Sequence, residues 1–168
     1  MSDSSDPKAI RQALDSATDA FEEAGGGLPA YERDIDTDTD WKTQLTKGCK
    51  LLRAVDTLDG RGQHTATIKL CFGVIERSLE AFALAEGGDD LADFQDHTMS
   101  YDRAADLGLL SRAMTGKLSD LYADNRTDSY YGGKRPTQEQ AQAMHVLART
   151  IHEYAADRIR EGGVCRCE

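Results

Sequence analysis

The sequence predicts an all-α protein, an antiparallel bundle of helices, and three observations carry that expectation. Apolar residues recur at three- and four-residue spacing along most of the chain. No segment alternates apolar and polar with period two, as a half-buried strand would. The periodic segments begin after capping residues and end in glycine-rich turns.

Taken in order, "DPKAIRQALDSATDAFEEA" places Ile10, Ala13, Leu14, Ala17 and Phe21 on one helical face. Asp6 suits the cap, Pro7 the first helical position, and Gly25 to Gly27 the end. The polar run "LPAYERDIDTDTD" lacks the glycine and terminal glutamate of a calcium loop and reads as a solvated linker. From Trp41 to about Thr57 a second helix carries Trp41, Leu45, Cys49, Leu52 and Val55. Cys49 and Cys71 fall inside these apolar patterns and read as buried thiols. The segment "TATIKLCFGVIERSLEAFALAEGG" is apolar on so much of its surface that it belongs at the centre of the bundle. Next come two short helices with a turn at Ser100, the second ending near Gly108. A further helix then aligns Leu110, Met114, Leu118 and Leu121, with Tyr122 beside them. "TQEQ", Thr137 to Gln140, fits a capping box and starts the last helix, whose core stripe is Ala141, Met144, Ala148, Ile151 and Ala155.

This divides the chain into an N-terminal helix with acidic linker (residues 1–40), a bundle (41–160) and a flexible tail (161–168) containing Cys165 and Cys167. Among 168 residues there are 20 Asp and 10 Glu against 13 Arg and 7 Lys, a net charge of −10. Such Asp-rich, Lys-poor composition is similar to that of halophile proteins. An acidic surface normally repels nucleic acid, but at ~1 M salt the Debye length is roughly 3 Å and only direct contacts count. No apolar run is long enough for a membrane span, and the acidic N-terminus has no signal-peptide layout, so the expected location is the cytoplasm. No Walker loop, dinucleotide fingerprint, zinc-protease motif or nucleophile elbow occurs. Neither a cofactor nor a metal is expected.

Chemistry concentrates around Arg126, in "LSDLYADNRTDSYYGG". This stretch, the central "IERSLEAFALAEG" and the closing "TQEQAQAMHVLARTIHEYA" together resemble the HEPN superfamily (higher eukaryotes and prokaryotes nucleotide-binding) over about residues 41–158, in the family's order and spacing. The resemblance implies a helical bundle that usually dimerises. Many members are metal-independent ribonucleases, or toxins paired with a minimal nucleotidyltransferase, with the motif R-x4–6-H. In that chemistry the arginine stabilises phosphate charge and the imidazole moves a proton. Arg126 takes the arginine position, but the histidine window falls on Tyr131, Gly132 and Gly133, and a phenol is a weak base near neutral pH.

The expected site therefore comprises Arg126, Tyr131 as a substitute hydrogen-bond donor, and His145 as an imidazole from the last helix. Tyr130, Lys134, Arg135 and Glu76 are the candidate binding residues. Glu76 should meet an arginine from another helix, Arg126 among the possibilities. His145 and His152 are expected on one polar stripe beside the core, and His97 as a local hydrogen-bonder in a turn. Three readings stay open: a dimeric nucleotide- or RNA-associated binding module, as a degenerate or regulated component of a toxin–antitoxin or defence system; a metal-independent endoribonuclease using Arg126; or a structural dimerisation bundle without catalytic activity.

Overall fold

The computed structural model describes residues 7–22, 31–126 and 132–161, and every regular element among them is helical. The chain divides into two compact units, Met1–Glu32 and Arg33–Glu168. In the first unit α1 (Pro7–Glu22) forms where the sequence places it. No residue of it is buried, and Ile10, Leu14 and Phe21 on its apolar face are exposed.

The second unit is built on α3 (His64–Glu86), which packs against α2 (Asp40–Leu58), α4 (Met99–Asp106) and α6 (Gln138–Arg158). Thirteen of its residues are buried, as its broad apolar surface requires. The five residues Asp59 to Gln63 join α2 to α3, with Gly60 and Gly62 at positive φ, where a side chain would strain the backbone. That short connection sets the two helices antiparallel. Gln44 reaches Glu80 while Gly73 lies against Leu51, so one helix descends as the other rises. α2 and α6 are antiparallel too, with Cys49 against His152 and Asp56 against His145. α3 and α6 consequently run in the same direction, because α4 and α5 (Arg112–Asn125) intervene between them.

Capping decides several boundaries. Thr137 and Gln140 exchange side-chain-to-backbone bonds at 3.1 and 2.9 Å, the capping box expected from "TQEQ". Ser111 caps α5 by accepting from the Met114 amide at 3.2 Å. A 3-10 turn, η1 (Leu91–Phe94), precedes α4 and carries its own box between Asp90 and Asp93. The expected turn at Ser100 lies earlier. Asp96 accepts hydrogen bonds from the backbone N–H and hydroxyl of Thr98, so the chain turns there and Ser100 is buried inside α4.

The face of α5 also differs from expectation. Thr115 and Leu118 are buried, whereas Met114 and Leu121 are exposed and Leu110 is half-buried. α5 packs chiefly on α4, a short helix, so a narrow strip of it suffices to close that contact. Leaning away from α3, it leaves room for a cavity. No described helix is long and apolar enough to cross a membrane.

Candidate functional site

Thr65, Ile68, Lys69, Phe72, Gly73 and Glu76 follow one another at three- and four-residue steps, so they form one stripe along α3. This stripe is the floor of a cavity of about 420 Å³. Its far wall is the C-terminal end of α5, which contributes Tyr122, Asn125 and Arg126, and Pro136 closes it ahead of α6. His97, from the turn between η1 and α4, completes the wall. A volume of this order suits a small organic ligand.

One end of the stripe is strongly polar. Glu76 is only 5% exposed, and its Oε2 accepts a hydrogen bond from His97 Nδ1 at 3.0 Å. Arg77 Nη2 stands 3.8 Å from the same oxygen and donates to Glu80 Oε1 at 2.8 Å. Gln44 donates to the other Glu80 oxygen at 2.9 Å. Burial pushes the Glu80 carboxyl up to about 7, against the pull of Arg77, and the negative charge of Glu76 adds to the rise. Behind them Tyr101 is fully buried, and neither its hydroxyl nor Arg77 Nε has a hydrogen-bond partner among the described residues. Burial and the nearby Glu76 raise the Tyr101 phenol well above its ordinary value.

The remaining wall is aromatic. Phe72 and Tyr122 meet edge to face with centroids 5.3 Å apart. Tyr122 and His97 are 6.0 Å apart and tilted by 36°. A second, adjoining hollow of about 250 Å³ shares Ile68, Phe72 and Asn125 with the first, and Lys134 and Arg135 line it.

The structure thus brings Arg126 and Glu76 to one cavity, with Lys134 and Arg135 in its neighbour. Tyr130 and Tyr131 lie outside the described residues. Arg126 is exposed, and among the described residues Glu76 pairs with His97 and with Arg77 of its own helix, and no pair with an arginine from another element is seen. His145 is elsewhere. It bonds Asp56 at 2.7 Å beside Arg149 at 2.5 Å, on the α2–α6 side. Burial works upward on Asp56, yet hydrogen bonds from Arg149 and His145 outweigh it and hold the carboxyl below its usual range.

The histidine stripe is corrected as well. His152 is fully buried, with Ser78 Oγ 2.7 Å from Nδ1 and Cys49 Sγ 3.2 Å from Nε2. Burial depresses its pKa to about 4, so it is a neutral core histidine. Cys49 is not a free thiol but disulfide-bonded, and Cys71 is a buried free thiol pushed up to about 12 by burial.

Besides Lys69, the cavity residue that sequence reasoning missed is His97. It stands 29 positions before Arg126, far outside the R-x4–6-H window, and only the fold brings both to one cavity. A buried glutamate in the middle of the most apolar helix was the available signal, because such a charge demands a partner.

No curated protein and no solved structure matches the chain. A family model described as Domain of unknown function (DUF8154) matches residues 5–167. Spanning nearly the whole sequence, that match shows that the chain belongs to this family.

Proposed function

We propose that this protein is a HEPN-like helical bundle that binds nucleotides or RNA through the cavity between α3 and the end of α5. One observation carries the reading: Arg126, Lys69, the buried Glu76 carboxylate with its exposed His97 partner, and aromatic rings all line the same cavity. Arginine recognises phosphate oxygens through its planar fork of donors, and rings offer stacking faces to bases. The neighbouring hollow with Lys134 and Arg135 offers a place for a second phosphate-bearing unit. The same reading takes the protein as a homodimer, for which the exposed Met114 and Leu121 of α5 supply apolar surface. It also takes it as a regulated partner of a nucleotidyltransferase-type protein in a toxin–antitoxin or defence pair.

Titrating the full chain with a fluorescent oligoribonucleotide tests the proposal. Arg126→Ala should weaken binding by roughly tenfold or more, since a charge-assisted hydrogen bond contributes about 1.5–3 kcal/mol. Unchanged affinity in a folded variant would refute it. The endoribonuclease reading is favoured by one finding, that the cavity holds a histidine after all. Its signature would be RNA cleavage in the presence of EDTA that disappears in both Arg126→Ala and His97→Ala. Binding with no cleavage leaves the binding module.

A further inference from the structure

Glu76 and Lys69 are seven residues apart on α3, hence on the same face and roughly 10 Å apart along its axis. The cavity therefore has a carboxylate end and a cationic end on one wall, with Phe72 and Gly73 between them. The carboxylate end has unused capacity. Both partners of Glu76, His97 and Arg77, approach Oε2, and Oε1 has no hydrogen-bond partner among the described residues. Because His97 and Arg77 already face its charge, what remains is acceptor capacity for neutral N–H donors and not a call for a cation. Tyr122 and His97 supply rings to the lining of the same cavity.

Resting on the nucleotide-binding reading above, we propose that the Glu76 end of the cavity recognises a guanine base, with its phosphate toward Lys69 and Arg126. Guanine alone among the common bases presents two adjacent donors on one edge, the ring N1–H and the exocyclic N2–H. These fit a carboxylate, one to Oε1 and one to the spare lone pair of Oε2. Adenine and cytosine place a ring acceptor beside their amino group, which a carboxylate repels, and uracil offers one donor between two acceptors. His97 acts as a positioning residue, fixing Glu76 through Oε2. The cationic end excludes ligands that carry positive charge throughout and favours one that is neutral at the base and anionic at the phosphate.

Calorimetric titration of the full chain with GMP, AMP, UMP and guanosine reads this directly. GMP should bind at least about tenfold tighter than AMP or UMP, the scale on which a paired two-donor contact discriminates bases. Guanosine should bind more weakly than GMP. Glu76→Gln should abolish the preference while GMP and AMP still bind; circular dichroism checks that the helices persist. His97→Ala, at a side chain 62% exposed, should reduce the preference without unfolding the protein. Arg126→Ala should weaken GMP and AMP alike and keep their ratio. Equal binding of GMP, AMP and UMP, or a preference that survives in Glu76→Gln, overturns the guanine assignment and leaves the nucleotide reading standing. Failure of all nucleotides to bind overturns both.

Discussion

Glu80 and His152 are buried titratable side chains that pull the pH dependence of stability in opposite directions. Glu80 is raised from 4.5 to about 7. Between those values the folded chain holds a proton that the unfolded chain has lost, so its contribution is complete below pH 4.5 and lost as pH rises through 7. His152 is lowered from 6.5 to about 4, so its contribution is complete above pH 6.5 and lost as pH falls through 4. From pH 4.5 to 6.5 the two slopes cancel. Removing one should uncover the other. Relative to wild type, Glu80→Gln should gain stability with rising pH across this window and His152→Gln should lose it, each by roughly 3 kcal/mol. Urea unfolding at pH 4.5, 5.5 and 6.5 measures both, and parallel curves for all three proteins would show that neither group titrates as its burial requires.

Helix contacts turn on two glycines with opposite consequences. A Cβ on Gly48 of α2 would lie 3.3 Å from His152 Nδ1 and 3.4 Å from Ser78 Oγ. His152 is held on both ring nitrogens and cannot retreat, so Gly48→Ala should destabilise by about 1 kcal/mol despite the better helix propensity of alanine. Gly116 of α5 has nothing within 4 Å, and Gly116→Ala should stabilise by about 1 kcal/mol. Thr137→Ala, which removes the α6 capping box, should cost about 1 kcal/mol. Thermal unfolding of the three variants checks the order. The same contacts show how far the sequence could be read. α3 and α6 were legible because long helices with a broad buried face keep strict periodicity. α5 was not, because it packs mainly on the short α4, and propensity with spacing cannot tell Met114 from Thr115 when so little of a face is covered. Arg126 could be singled out locally, and Glu76 as a charge in an apolar helix. His97 could not, because its partner lies 21 residues away and no local pattern encodes that pairing.

For the molecule as a whole, 30 acidic against 20 basic residues must coexist on a bundle of 168 residues. Short pairs such as Lys42–Asp38 at 3.0 Å, whose Asp38 is well exposed to solvent, contribute little each. The unmatched charge of −10 is therefore the larger electrostatic quantity, and it opposes compaction by self-repulsion. Salt reduces that repulsion, since the Debye length falls from about 10 Å at 0.1 M to about 3 Å at 1 M. The melting temperature should accordingly rise over this range, by about 2–4 °C for each kcal/mol of repulsion relieved in a chain of this size. Sucrose at equal osmolality separates screening from general solute exclusion, because it leaves the Debye length unchanged. The same field governs the cavity. At low salt the acidic surface opposes the approach of a phosphate that Arg126 and Lys69 attract locally, so screening weakens both terms. Nucleotide affinity should then change by less than about threefold between 0.1 and 1 M salt, whereas a basic protein making several phosphate contacts loses orders of magnitude. A steep decline with salt would mean that attraction at the cavity outweighs the charge of the whole molecule. A rise would mean that repulsion dominates and that the cationic end contributes little to holding the phosphate.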